Sequence, residues 1–200
     1  VRLAAYKAIC AAWLPDRPTQ TQFADSLATH LVSNAGLNVW SIKITIMKCL
    51  TSVLYRLPLR VLSEGTLDRV LGTISEAVAD GKYSQLRVAA LKALTVLLGV
   101  CSTKASTPTP AADTAMDTGT NTGTVASAGS KSATGGVGAV NVDLISVDTG
   151  AVVESEASDV LGRERLMSIV TSLRDRKMDG DPDVRRFSEA LLPLVTAALQ

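Results

Sequence analysis

Several stretches of this chain hold residue types that can do chemistry, and their spacing decides which chemistry is open to them. Gly123 to Ser132 reads Gly-Thr-Val-Ala-Ser-Ala-Gly-Ser-Lys-Ser. A phosphate loop needs four residues between its glycines and a lysine directly after the second, so that backbone N–H groups wrap the phosphates and the ammonium reaches them. Here five residues intervene, Ser130 separates Gly129 from Lys131, and no apolar strand leads in, so no nucleotide site is expected. Asp179, Asp181 and Asp183 alternate like the first ligands of a calcium loop. Such a loop requires Gly at its sixth position and Glu at its twelfth, where this chain has Val184 and Ala190. A capped helix start fits better, with Asp181 as N-cap and Pro182 in the first helical position.

His30 is the single histidine and has no second metal ligand at ligand spacing. The carboxylates are scattered, so no acid–base pair can be placed by spacing. We therefore expect no catalytic residue, no cofactor, no metal and no small-molecule substrate: the chain reads as non-enzymatic. Thr107-Pro and Thr109-Pro are possible proline-directed phosphorylation sites.

The cysteines, Cys10, Cys49 and Cys101, are odd in number and form no CxxC pair. They read as small hydrophobes in a reducing compartment, cytoplasm or nucleus. The net charge of +1 conceals a segmental pattern: +5 over residues 1–101, −4 over 102–158 and zero over 159–200. That is too little clustered base for nucleic acid and suits a protein-binding surface. Apolar runs such as Leu94 to Val100 fall far short of the roughly 20 residues a membrane span needs. Aromatics make up 4% of the chain, so Leu, Val, Ile and Ala must build the core.

Laid on itself, the chain shows a repeat. Segments beginning Val1-Arg2, Ile42-Lys43, Leu86-Arg87 and Val184-Arg185 align without gaps, each an aliphatic residue followed by a base. Apolar positions then recur at helical spacing, as in Leu86, Ala89, Ala90, Ala93, Leu94 and Leu97. Ala at 89, 90 and 93 would let a neighbouring helix approach closely. A second helix precedes each of the last three segments. Thr19 with Gln22 gives a capping box after Pro18, Ser63 is a candidate cap, and Leu166, Ile169, Val170 and Leu173 mark the third. Seven helices are expected, and the opening at Val1-Arg2 within a helical pattern suggests the interior of a longer protein.

Two helices per unit, a period of 41 to 44 residues and an aliphatic-base pair opening the second helix resemble the HEAT/armadillo repeat family. The resemblance covers residues 1–101 and about 160–200. It implies an all-α fold, an α-solenoid of stacked HEAT-like helix pairs. The family pairs its base row with Asp in the inter-helix turn. Asp179 holds that place here, while Gly81 and Leu37 stand at the equivalent places in the other units. Arg2, Lys43, Arg87 and Arg185 thus form either an incomplete structural ladder or a basic row on the inner surface. Lys7, Lys48 and Lys92 make a second row, expected to be solvated.

Local strings are similar to the C-terminal part of large HEAT-repeat adaptors of the 26S proteasome. These are Trp13-Leu14-Pro15, Val39-Trp40-Ser41-Ile42-Lys43 with Met47-Lys48-Cys49-Leu50, and Gly81-Lys82-Tyr83-Ser84-Gln85-Leu86-Arg87. This implies a scaffold that tethers or quality-checks proteasomes. Scaffolds of the nuclear-transport or phosphatase type, or the solenoid arm of a large kinase-like enzyme, are the alternatives.

Residues 102–158 have no aromatic residue and are rich in Ser, Thr, Gly, Ala and Asp. The expected organisation is repeats over 1–101, a disordered loop over 102–158 and a final helix pair over 159–200. Val140 to Val153 alternates like a strand but has no evident partner. Docking of the loop along the stack as an internal ligand is the alternative. Charge favours it, whereas Leu144 and Ile145 are its only Leu or Ile anchors.

Overall fold

The structure is a computed structural model and describes residues 2–14, 17–37, 39–103 and 140–200. Among the described residues there are seven helices: α1 (Arg2–Ala12), α2 (Pro18–Ala35), α3 (Trp40–Leu54), α4 (Glu64–Ala79), α5 (Ser84–Leu97), α6 (Ser155–Arg176) and α7 (Pro182–Ala197). Short 3-10 turns at Leu59–Val61 and Val142–Leu144 and two short strands, β1 (Cys101–Thr103) and β2 (Ile145–Val147), complete them. The chain is predominantly helical. The odd helices pack in sequence, α1 on α3, α3 on α5 and α5 on α7, while α2, α4 and α6 form a second row behind them. Within each unit α2 packs on α3, α4 on α5 and α6 on α7, leaving α1 without a preceding partner.

The packing follows from the residue pattern. Ala89, Ala90 and Ala93 are buried on α5, and their small side chains let α3 and α7 close on either side. Leu50 of α3 and Leu94 of α5, equivalent in the repeat, are both buried. Hydroxyls carried into this core satisfy themselves locally: Thr51 donates to the Met47 carbonyl and Thr95 to that of Leu91, both at 2.8 Å. Cys10 of α1 and Cys49 of α3 are joined in a disulfide, with Cα atoms 5.0 Å apart. This corrects the expectation of three unpaired cysteines. The two sit 39 residues apart, close to one repeat, so equivalent helices bring them side by side. The ground for a reducing compartment goes with it.

Helix starts differ from expectation in detail. Arg17, not Thr19, is the N-cap of α2, and Pro18 takes the first helical position, where its missing N–H costs nothing. Gln20 ties the preceding turn instead, accepting from Leu14 N–H at 2.8 Å. Ser63 occupies the N-cap of α4 without a side-chain cap bond. Its N–H donates to Asp25 at 2.7 Å, linking α2 to α4.

The largest departure concerns 102–158. The final helix pair begins at Ser155, not 159, and α6 is kinked at Gly162, whose φ is 70°. Residues 140–153 form an ordered strap. β2 pairs antiparallel with β1, Thr103 opposite Ile145 and Cys101 opposite Val147. The missing partner strand was the residues directly following α5. Ile145 and Val153 are buried, supplying the anchors that composition made scarce. Gly99 permits the crossing: its φ is +71°, and a Cβ there would collide with the Glu154 side chain. The part of the loop over 104–139 lies outside the described residues.

Leu94→Ala should destabilise the chain by about 2–5 kcal/mol, as expected for a leucine truncated in a packed core. Urea unfolding followed by helical circular dichroism measures this. An unchanged midpoint would show that the helix face is assigned wrongly.

Candidate functional site

Two constellations of charged residues stand out, one inside the helix array and one on its surface. The inner one is built on the turns that join the helices of each unit. Arg87 opens α5 and is 8% exposed. One guanidinium nitrogen donates to the Asp80 carbonyl of its own turn at 2.9 Å, the other to the Asp179 carboxylate of the next unit at 2.8 Å. Asp179 also accepts from Asp181 N–H at 3.0 Å and from Arg176 at 3.4 Å. Arg185 donates to the Asp179 carbonyl at 2.6 Å. The same device therefore recurs: the base opening the second helix holds its own turn's carbonyl, and Arg87 also holds the next unit's carboxylate.

Asp80 takes the place expected of Gly81. Asp80 stands seven residues before Arg87, whereas Asp179 stands six before Arg185, so a gapless alignment misses the aspartate. Its carboxylate accepts from Lys82 and Tyr83 N–H at 2.8 and 2.7 Å. Those bonds, that of Tyr83 foremost, together with the charges of Lys43 and Arg87, hold its carboxyl below the ordinary range. Burial pushes Asp179 up, but the Asp181 N–H and Arg87 outweigh it and the carboxyl is lowered. Of the four bases in the row, Arg87 and Arg185 meet around Asp179. Lys43 is half-buried and acts through its charge, and Arg2 is exposed at the start of α1.

Asp181 and Asp183 have turn-forming geometry. Asp181 caps α7, accepting from Asp183 and Val184 N–H at 2.9 and 3.3 Å. Among the described residues no group of three or more His, Cys, Asp or Glu is placed to hold a metal ion, and no helix is long and apolar enough to cross a membrane. His30 is exposed on α2, its ring 6.5 Å from that of Tyr6. Thr107, Thr109 and Gly123–Ser132 lie outside the described residues.

The surface constellation lies on the odd-helix face. The strap crosses successive odd helices: the Val142–Leu144 turn rests on α3, and β2 on α5 and α7. Lys48 of α3 donates to the Asp143 carboxylate, and Lys92 of α5 donates to the Asp143 carbonyl, each at 2.7 Å. Burial lowers the Lys92 pKa, and Asp143 pulls it partly back. Of the second lysine row, expected to be solvated, Lys7 is exposed, but Lys48 and Lys92 grip another part of the chain. Beside the grip a cavity of about 500 Å³ remains, lined by Ile44, Gln85, Val88 and the two lysines. The signal for this contact was present in the +5 and −4 segments, but only the fold shows which lysines meet which acid.

A third feature lies at the helix-start edge. Trp40, the first residue of α3, stacks on Tyr83, the N-cap of α5, with ring centroids 5.5 Å apart and planes 18° from parallel. Trp40 remains 47% exposed, next to Val39 at 46%. Exposed stacked aromatics of this kind are frequent contact points for partners. Comparison with known proteins adds nothing to the geometry: no family model, no curated protein and no solved structure matches the chain.

Asp179→Ala leaves the Arg87 charge buried without its partner and should cost about 3–5 kcal/mol, whereas replacing both with apolar residues should recover most of that loss. Denaturant titration of the two single variants and the double variant measures it; additive losses would contradict the pairing. Because Asp80 and Asp179 are held below their ordinary values, their contribution is complete above the unfolded carboxylate pKa of about 4 and is lost as pH falls below it. Thermal unfolding between pH 7 and pH 2.5 should show the fall beginning near pH 4, and Asp179→Asn should make it shallower.

Proposed function

We propose that this chain is a non-enzymatic protein-binding segment, a stretch of α-solenoid of the HEAT type that works as a scaffold. The observation that carries this is the odd-helix face. Four helices in succession offer a continuous surface, and a non-helical piece of the chain already lies across it through charge and apolar contact. Helix pairs stacked in one direction make extended binding surfaces because each unit adds area without closing the array.

The partner class we propose is the 26S proteasome, with the chain acting as part of an adaptor that tethers or quality-checks it. Support comes from two of the strings that carry the sequence resemblance, Val39–Lys43 and Gly81–Arg87. Their aromatic residues, Trp40 and Tyr83, meet in space, with Trp40 exposed at the start of α3 and stacked on the half-buried Tyr83.

Sedimentation of the chain with purified 26S proteasome tests the proposal. The chain is expected to travel with the proteasome, and Trp40→Ala to weaken the association about tenfold or more, as truncation of an aromatic anchor does. A chain that stays at the top of the gradient would overturn the proteasome assignment.

A further inference from the structure

The strap is held to different degrees along its length. Downstream, Ile145 is 2% exposed, β2 pairs with β1, and Asp148 N–H donates to the Val100 carbonyl at 2.9 Å. Upstream, Asn141 and Asp143 are exposed, Leu144 is 36% exposed, and Val140 and Val142 are only half-buried. Among the described residues, the polar contacts of this upstream part with the helices are those of Asp143 with Lys48 and Lys92. The Asp143 side chain is 67% exposed and that of Lys48 38%. Exposed ion pairs contribute about 0–1 kcal/mol. The lysines, by contrast, are fixed: they stand at equivalent positions on packed neighbouring helices. An open groove runs beside them, lined by Ile44 and Val88 on the side of the lysines and by Asp181, the α7 cap, and Asp183 at its α7 end. Two cations on packed helices thus face a weakly held acid.

We propose that the Lys48–Lys92 groove is a receptor for an extended acidic segment of a protein partner, and that Val140–Leu144 is its resident, exchangeable occupant. The partner segment carries a carboxylate between aliphatic residues, as Val142-Asp143-Leu144 does. Its carboxylate replaces Asp143 between the lysines, and its aliphatic side chains cover Ile44 and Val88. The Ile145 anchor and the β1–β2 pairing stay in place and act as the hinge. Burial already strips Lys92 of part of its hydration, so a carboxylate gains more there than at a fully solvated lysine. The resident segment lowers apparent affinity in proportion to the fraction of time the groove is filled. The inference rests on the scaffold proposal and gives it a site and a partner chemistry.

Fluorescence anisotropy with a labelled peptide of the sequence Val-Asn-Val-Asp-Leu-Ile-Ser-Val-Asp, titrated with the full 200-residue chain, tests it. Asp143→Lys repels both lysines from an exposed position, so it vacates the groove without threatening the core. Peptide affinity for this variant is expected to rise about tenfold over the parent, with Asp143→Ala in between. Adding Lys48→Glu and Lys92→Glu to the vacated chain, or Asn for the fourth residue of the peptide, should each remove about tenfold or more of the binding. Circular dichroism of each variant confirms retained helix. Equal affinity for parent and Asp143→Lys chains overturns the exchange, and binding indifferent to the lysines overturns the site. Proteasome sedimentation is read separately. Association there with no peptide binding leaves the scaffold standing and rejects this inference, whereas peptide exchange with no sedimentation rejects the proteasome alone.

Discussion

The chain leaves the helix array after α5 and returns at α6, and a buried guanidinium fixes where the last pair lands. Arg87 is held on its own side by the Asp80 carbonyl and needs an anion on the other. Asp179 supplies it from the turn of the final pair, and Arg176 and Arg185 close around the same turn. Removing two charges from water costs several kcal/mol per ion, so the pair adds little net stability. Among the described residues Arg87 Nε has no hydrogen-bond partner, a further cost. What the pair supplies is position: an apolar contact between α5 and α7 tolerates sliding, and a guanidinium facing one carboxylate does not.

With α7 placed against α5, the returning chain has to cross the odd-helix face and pass the end of α5. Gly99 gives way to Glu154, whose N–H donates to the Leu98 carbonyl at 3.3 Å. The β1–β2 ribbon then ties the outgoing and returning strands together. A two-stranded ribbon this short is marginal alone; here Ile145 is buried against the helices beneath. At the other end of the array, the Cys10–Cys49 disulfide fixes α1, the helix without a preceding partner, to α3. A covalent link thus joins α1 to α3, and an ionic link joins α5 to the turn before α7.

What could be read from sequence was local and periodic. Leu50 and Leu94 announced buried positions through helical spacing, Asp181-Pro182 announced a capped helix start, and three alanines on α5 announced close packing. What could not be read depended on pairs distant in the chain. Cys10 and Cys49 look unpaired when cysteines are counted, because Cys101 makes the number odd. Asp80 slipped from view because it stands seven residues before its base, one more than Asp179 before Arg185. The strap resembled a loop because its partner strand lies on the far side of residues 104–139. Lys48 and Lys92 were visible as a row, but whether a row of lysines is solvated or occupied depends on what the fold lays over it.

The surface that results is a row of helices bearing a segment of graded hold: firm at Ile145, loose at Asp143. That gradient is what makes the face a binding surface rather than a sealed core. Native-state hydrogen exchange reads it residue by residue. The amides of Asp148 and Glu154, bonded to carbonyls just beyond and at the end of α5, should be protected nearly as well as those of α5 itself, and the amide of Val142 should exchange much faster. Exchange of the Asp148 and Glu154 amides at the unprotected rate would show that the strap does not dock and would contradict the account.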